Sequence, residues 1–303
     1  MRISSTQYHQ TMNTALQDAS SKVGDLMQKM ASGMRVLRPS DEPITSVRLS
    51  RLTREEAALT QYRDNIAALA SRLSRNESYL GGMTNDLMQA RDLLIWAANG
   101  GNTSDDLNAM ANSLKALRDS LFYTTNTKDQ EGRYLFSGTA TNTATVEYDA
   151  VAPLGSRYSF TGNNELQHVV VGKGITQAAN VSLSEMAAFL NQLDDTIDAL
   201  DAAGADVNDA GTRARITAGM DHLDEVLNSL TQKIAKIGGG QNILSTLEDN
   251  HANISLSNKQ AYIALGQLDY GDAAVKLNGY TMALQATQKA YAKVIGLSLF
   301  DVI

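Results

Sequence analysis

Apolar residues recur every seven positions through one long stretch of the chain, and most positions three residues after them are apolar as well. The repeat is formed by Leu52, Leu59, Ile66, Leu73, Leu80, Leu87 and Leu94. A seven-residue repeat corresponds to 3.5 residues per helical turn, which keeps one stripe facing a neighbouring helix along its whole length. The pattern therefore predicts a helix over about 43–98 that lies along other long helices.

The same alternating spacing of three and four residues appears near both ends of the chain, over about 6–31 and about 272–297. The stripe positions are Met12, Leu16, Val23, Leu26 and Met30 in the first segment and Leu277, Tyr280, Leu284, Tyr291 and Val294 in the last. A helix of this length is marginal in water and gains its stability from packing. The residues leave open whether these stripes are buried within one folded chain or only in an assembly.

Residues that cap or interrupt helices mark the boundaries of the predicted elements. Pro39 ends any helix that reaches it, and Pro43 is tolerated in the first turn of the next one. Thr103, followed three residues later by an aspartate, predicts the start of a third helix. Ser182, followed three residues later by a glutamate, fits a capping box and predicts where a fourth begins.

Three interruptions occur within the apolar stripes themselves. Asn76 occupies a stripe position of the long helix, where a polar residue fixes register at some cost in stability. Gly81-Gly82 weakens the middle of that helix. Gly238–Gly240 would normally break a further helix that starts near residue 209, but its apolar face continues through Leu247.

The hydrophobic period changes near residue 132. The segment 132–138 has the pattern of a short strand between turns, and the chain as far as residue 176 is rich in Thr, Val, Tyr and Gly. The alternating segments 145–148, 157–160 and 167–171 are typical of strands. We therefore predict a β-rich insertion over 138–178.

These elements predict a mainly α fold, a long coiled-coil-like helical bundle in which the N- and C-terminal helices pair. Residues 1–38 and 266–303 would form the terminal helices, and residues 39–137 and 179–265 the body of the bundle. The β-rich insertion over 138–178 would lie at the tip.

Composition excludes several classes of protein. The 303 residues include no cysteine, which excludes disulfides and thiolate metal sites. The net charge of −7 provides no general basic surface for nucleic acid. We find no cleavable signal peptide pattern and no apolar run long enough to span a membrane. Aromatic residues make up only 6% of the chain, and this low content suits thin helical bundles better than a protein with a deep catalytic pocket.

Few residues suggest chemistry. The four histidines, His9, His168, His222 and His251, have no ligand-like neighbours. Gly172–Thr176 fits a turn between strands better than a phosphate-binding loop. The aspartates between 194 and 209 lack the spacing of a calcium-binding loop, and we expect them on a solvated helix face and loop. Trp96 is expected to pack at a helix end. We predict no catalytic, metal-binding or cofactor-binding residue and no enzymatic activity.

Four motifs in order resemble those of the flagellin family. Ser32-Gly33-Met34-Arg35 and the following Pro39–Pro43 match its SG-x-R and PSD-[DE]-P pattern, and Gly132–Gly138 is similar to a G-x-Y-x-F-x-G element. Gly240-Gln241-Asn242 and the ending around Leu297–Asp301 complete the set. Within the family, the proline-containing break and this ending resemble the hook-associated members that join hook to filament.

The resemblance implies an extracellular structural protein of the bacterial flagellum, exported without a cleaved signal peptide through the flagellar type III pathway. Its partners would be further copies in a ring, a neighbouring hook-side hook-associated protein, filament flagellin and a dedicated export chaperone that binds the C-terminal region. The resemblance also implies that the terminal stripes become ordered on assembly, which makes the ten stripe residues above candidate subunit-assembly residues.

Two alternatives are open at this point. The first is a filament-forming flagellin, from which Pro39–Pro43 and the Phe300-Asp301 ending distinguish this chain. The second is a coiled-coil binding protein that acts in the cytoplasm.

Overall fold

The computed structural model describes the backbone of residues 2–300 and the side chains of residues 6–293. This part of the chain is 70% helical and contains six helices, so the predicted mainly α fold is confirmed. The helices are α1 (Arg2–Ser32), α2 (Pro43–Ala97), α3 (Ser104–Thr125), α4 (Glu185–Asp201), α5 (Ala210–Gly266) and α6 (Tyr270–Phe300).

Four short strands form two antiparallel hairpins within the predicted insertion: β1 (Val146–Tyr148), β2 (Tyr158–Phe160), β3 (His168–Gly172) and β4 (Ile175–Ala178). Val146 lies opposite Phe160 in the first hairpin, and His168 lies opposite Ala178 in the second. The expected strand over 132–138 is wrong. That segment makes only single bridges, from Tyr134 to Lys128 and from Ser137 to Ser182.

The chain divides into two compact units. Unit 1 comprises Met1–Leu59 and Ala252–Ile303, and unit 2 comprises Thr60–His251. Unit 1 contains α1, α6 and the adjoining ends of α2 and α5. Unit 2 contains the rest of these two long helices together with α3, α4 and both hairpins.

The heptad stripe of α2 is buried in the core of unit 2, as its spacing predicts. The buried positions alternate at three and four residues: Ile66, Leu69, Leu73, Asn76, Leu80, Met83, Leu87, Ala90, Leu94 and Ala97. Among them, Asn76 is fully buried, and neither atom of its side-chain amide has a hydrogen-bond partner. Burying an amide without hydrogen-bond partners costs stability, and this agrees with the polar interruption that the sequence predicts at this position of the stripe.

α5 continues through Gly238–Gly240 without a break. Gly240 is itself a buried stripe position, and a Cβ added there would lie 2.8 Å from Gln177 Nε2 and 3.7 Å from Leu73 Cδ1. A small residue therefore lets the hairpin side chain of Gln177 approach the helix. Ile237 and Leu244 are buried on either side of it and continue the stripe.

The β hairpins lie beside the helices of unit 2. Asn65 Nδ2 donates to the Val170 carbonyl at 2.8 Å, and His251 Nε2 lies 2.8 Å from the Val171 carbonyl. The end of the bundle that α2 reaches is formed by the turns 98–103 and 202–209, where Asn208 Nδ2 donates to the Gly100 carbonyl.

The two helix starts predicted at Thr103 and Ser182 have opposite outcomes. The start of α3 after Thr103 is confirmed, and the structure adds a capping box there: the Thr103 hydroxyl accepts from the Asp106 N–H while the Asp106 carboxylate accepts from the Thr103 N–H. At α4 the prediction is wrong, because the helix begins at Glu185 and the Ser182 hydroxyl donates to Asn164 Oδ1 at 2.6 Å. The Glu185 carboxylate instead contacts Ser229 and Lys233 on α5.

Candidate subunit-assembly surface

The terminal helices α1 and α6 pack against each other in unit 1. The structure thus brings both sets of predicted stripe residues to one helix pair. Nine of them are partly buried, namely Met12, Leu16, Val23, Leu26, Met30, Leu277, Tyr280, Leu284 and Tyr291. The side chain of Val294, the tenth, lies outside the described residues.

Burial in this pair is incomplete along its length. Among the described side chains of α1, none is fully buried, and among those of α6 Ala273 is the one that is. Large apolar side chains are also exposed on both helices, including Met27 at 53%, Val275 at 74% and Met282 at 59%. Two helices cover only one side of each other, so apolar surface beside the stripes remains exposed on this pair.

Backbone hydrogen bonds tie together the end of α1 and the start of α6. The Leu268 N–H donates to the Gly33 carbonyl at 2.9 Å, and the Arg35 N–H donates to the Gly266 carbonyl at 2.8 Å. Gly33 has φ +70°, the left-handed conformation that lets the chain leave the helix. The Tyr270 hydroxyl donates to the Met30 carbonyl at 3.0 Å.

The proline-containing break between α1 and α2 is an ordered turn. The Asp41 carboxylate accepts from the N–H groups of Leu37 and Arg38 and lies 3.4 Å from Lys29 Nζ. Desolvation opposes ionisation of Asp41, but these hydrogen bonds and the Lys29 charge outweigh it and lower the pKa of the carboxyl group. Val36, within the same segment, is buried.

Towards the other end of the helix pair, an aromatic contact joins the two helices. The rings of His9 and Tyr291 meet edge to face with their centroids 5.7 Å apart. His9 therefore has a packing partner in the pair, and a contact of this kind adds specificity to the alignment of the helices.

The aspartates between 194 and 209 include one that is buried, contrary to the expected solvated face. Asp194 is 4% exposed and accepts from Arg118 Nη1 at 2.5 Å and Arg157 Nη1 at 3.0 Å. Next to this cluster, burial raises the pKa of Tyr158 to about 12, although the Arg118 charge opposes the rise. The arrangement joins α3, α4 and β2 and fits a structural ion-pair network.

The remaining candidates for chemistry occupy structural positions. Buried His251 contacts the β3 carbonyl described above, and His222 lies 3.6 Å from Glu225. Gly174 has φ +73° in the turn between β3 and β4. Within the described residues, no group of three or more His, Asp or Glu side chains could hold a metal ion. The same part of the chain contains no helix that combines the length and the apolar character of a membrane span.

Trp96 does not pack at the helix end as expected. Its side chain is 68% exposed and borders a groove of about 720 Å³ between α2 and α3. Periodicity could have indicated this, because Trp96 falls outside the heptad stripe whose neighbouring members are Leu94 and Ala97.

Comparison with known proteins places the chain in a family. The model of the bacterial flagellin N-terminal helical region matches residues 3–141. The solved structure of a protein from Vibrio parahaemolyticus, described as a flagellar hook-associated protein, is 31% identical with a TM-score of 0.67, and the match covers 74% of this chain and 99% of that one. The chain belongs to the flagellin family.

Within the flagellin family the chain is most like hook-associated protein 3. The Escherichia coli K12 and Salmonella typhimurium flagellar hook-associated proteins 3 are 28% and 27% identical, over 99% of this chain and 99% of each relative. The Bacillus subtilis flagellin is 24% identical over 88% of this chain and 87% of its own. A hook-associated protein 3 from Legionella pneumophila shares the fold, with a TM-score of 0.64 at 14% identity, over 71% of this chain and 98% of that one.

The flagellin-family motifs lie at structurally distinct places. Ser32–Arg35 and Pro39–Pro43 form the turn between α1 and α2 described above. In the glycine-rich motif, Gln241 Nε2 donates to Glu77 Oε2 at 2.9 Å and so joins α5 to α2. Of the ending around Leu297–Asp301, Asp301 and the side chains of 297–300 lie outside the described residues.

Proposed function

We propose that this flagellin-family chain is a structural adaptor of the bacterial flagellum that joins hook to filament. The observation that carries the proposal is its end-to-end similarity to two flagellar hook-associated proteins 3, which exceeds its similarity to flagellin in both identity and coverage. A function in assembly also fits a chain whose described residues are mostly long helices packed side by side.

The terminal helices would carry the assembly. Their stripe residues are partly buried in the α1–α6 pair, and apolar side chains remain exposed beside them. In the assembled structure, residues 1–38 and 266–303 would form an inner layer of helices from neighbouring subunits. Residues 39–137 and 179–265 would form the subunit body, with the insertion 138–178 facing outward.

The proposed partners follow from a position between hook and filament. Copies of the chain would form a ring, with a hook-side hook-associated protein on one side and filament flagellin on the other. The chain would act outside the cell, after export without a cleaved signal peptide, and a dedicated chaperone would bind its C-terminal region before export. It would have no enzymatic activity and need no cofactor.

A deletion strain tests the proposal. Electron microscopy should show hooks without filaments, and the culture medium should contain unassembled flagellin, because the filament protein is still made but has nothing to attach to. Expression of the full chain should restore filaments. Filaments of normal length in the deletion strain would overturn the proposal.

The same strain separates the alternatives. If the chain were itself the filament flagellin, the medium of the deletion strain would lack flagellin, and the purified chain would form long filaments by itself. A cytoplasmic binding protein would be found in the cytosol and absent from purified flagella.

A further inference from the structure

One face near the start of α2 in unit 1 is exposed, apolar and basic. Ile44, Val47, Arg48 and Arg51 follow the i, i+3, i+4, i+7 spacing that places side chains on one side of a helix. Ile44 is 73% exposed and Val47 is 67% exposed, and both arginines are exposed as well. We refer to these four residues as the arginine ridge.

The arginines of the ridge are available to a partner. Within the described residues, neither Arg48 nor Arg51 has a hydrogen-bond or ion-pair partner. In contrast, Arg35 in the preceding turn is 3.3 Å from Glu42 and also donates to the Leu265 carbonyl. Arginine is enriched at protein interfaces, and the exposed side chains of Ile44 and Val47 add apolar surface beside it that a partner can bury.

A groove with the complementary character lies in unit 2, between α2 and α3. Exposed Trp96 and Ile95 border it, partly buried Leu93 and Leu117 form its apolar lining, and Asp92 places a carboxylate in it. Within the described residues, Asp92 has no hydrogen-bond or ion-pair partner. We refer to it as the Trp96 groove.

The net charges of the two units have the same signs as these two surfaces, positive for unit 1 and negative for unit 2. Unit 1 holds 12 Lys and Arg against 9 Asp and Glu, a formal charge of +3. Unit 2 holds 14 Lys and Arg against 24 Asp and Glu, a formal charge of −10. This charge difference favours encounters in which unit 1 of one copy faces unit 2 of another over those in which two copies of unit 2 face each other.

We propose that the arginine ridge of one copy docks in the Trp96 groove of a neighbouring copy, with Arg48 and Arg51 facing Asp92. The two surfaces are different patches of the same chain, so the contact is head to tail and each copy can use its ridge with one neighbour and its groove with another. Contacts of this kind close into rings or continue as helices. This inference rests on the proposed assembly of several copies in the flagellum.

Site-specific cross-linking tests the contact, and because the chain has no natural cysteine, every thiol in this chain is an introduced one. A strain lacking the native gene would express two single-cysteine chains, Val47→Cys and Ser113→Cys, of which Ser113 lines the groove. After treatment of purified flagella with a short bismaleimide, a dimer that contains one chain of each kind is expected.

The matched control replaces Ser113→Cys with Thr217→Cys. Like Ser113, Thr217 is exposed on a helix of unit 2 and its hydroxyl donates to the carbonyl four residues earlier, but it does not line the groove. Little dimer is expected with this pair. Equal cross-linking to both positions, or no dimer with Ser113→Cys when both chains are present in the flagella, would overturn the inference.

A charge exchange tests the polar part of the contact. Arg51→Glu in the Val47→Cys chain should reduce the dimer several-fold, and Asp92→Arg in the Ser113→Cys chain should restore it, because the exchange returns opposite charges to the two sides. Loss without restoration would contradict the pairing of these residues.

The result of the cross-linking test can be distinguished from the result of the deletion-strain test of the proposed function. Filament loss in the deletion strain without a ridge-to-groove dimer would leave the adaptor function in place and remove this contact. Cross-linking of Val47→Cys to another flagellar protein instead of a second copy would also contradict the inference.

Discussion

Single buried positions of the heptad stripe determine the stability of unit 2, and Leu73 is a suitable one to test. It is 3% exposed and lies against Gly240 of α5. Leu73→Asp would bury a charge without a partner, which should reduce the free energy of unfolding by about 3–5 kcal/mol. The measurement is thermal or denaturant unfolding followed by circular dichroism.

The matched control for this change is Ser71→Asp, two residues away on the exposed side of the same helix. It should alter the free energy of unfolding by no more than about 0.5 kcal/mol. Equal stability of the Leu73→Asp chain and the control would show that the assignment of the stripe is wrong.

Glycines in this chain serve opposite purposes, and alanine substitution separates them. Gly81 lies within α2 and a Cβ there would meet no atom within 4 Å, so Gly81→Ala should stabilise the chain by about 0.5–1 kcal/mol. Gly138 has φ +74°, and a Cβ there would lie 2.0 Å from the Asn163 carbonyl oxygen. Gly138→Ala should therefore destabilise by about 1–3 kcal/mol. Denaturant unfolding of both variants measures the two effects, and a shift in the same direction for both would contradict this distinction.

The capping box of α3 makes stability depend on pH in a defined direction. Hydrogen bonds from the Thr103 hydroxyl and backbone N–H lower the pKa of Asp106. A carboxyl group whose pKa is lowered by folding contributes stability above its unfolded-state pKa, and this contribution is lost as the pH falls through the folded-state value.

Thr103→Ala removes the hydroxyl donor and should raise the pKa of Asp106 towards its ordinary value. It should also make the folded chain less stable near neutral pH and less sensitive to acid over this interval. Carboxyl chemical shifts followed by NMR titration measure the change. An Asp106 pKa that is the same in both chains would contradict the account.

At the scale of elements, the terminal helices should be dispensable for folding and required for assembly. A chain without residues 1–31 and 272–303 retains unit 2 whole, together with its core. We expect a soluble, helical monomer that melts cooperatively and does not enter flagella, as measured by circular dichroism, sedimentation and immunoblotting of purified flagella. Incorporation of the truncated chain would contradict the proposed function of these helices.

A single substitution in the full chain supports the same test. Leu16→Asp places a charge on the stripe of α1, whereas Gln17→Asp places it on the exposed side of the same turn. The first change should block incorporation and the second should permit it, and neither should alter the main unfolding transition. Equal incorporation of both variants would mean that the stripe is not the assembly surface.

Long repeats were the part of the fold that the sequence predicted well. The heptad of α2 contains enough positions for its burial to be inferred, and the terminal stripes predicted that α1 and α6 have apolar faces to pair. Short elements were less predictable, because strands of three to five residues are stabilised mainly by contacts distant in sequence. Segment 132–138 has a strand-like composition but is held by single bridges.

The errors at individual residues have the same origin. Ser182 and Glu185 have the spacing of a capping box, but both side chains form hydrogen bonds with residues elsewhere in the fold. Ser182 binds Asn164, and Glu185 binds Lys233. Asp194 was expected in solvent because its neighbours are acidic, whereas two arginines from other elements bury and neutralise it. Spacing along one helix does not reveal such partners.

At the scale of the whole molecule, the two compact units divide the proposed function. Unit 2 has an extensive buried core, formed within the unit itself. Unit 1 has the partly covered α1–α6 pair and the exposed arginine ridge, both of which offer surface to other chains. This division is what we expect of a subunit that folds individually and completes its burial on assembly.

The most direct test of the central claim is the position of the chain on intact flagella, determined by immunogold electron microscopy. An adaptor between hook and filament should give gold particles confined to the boundary between the two, on every flagellum that carries a filament. Gold particles along the whole filament, or none on the flagellum while the cytosol is labelled, would contradict the account.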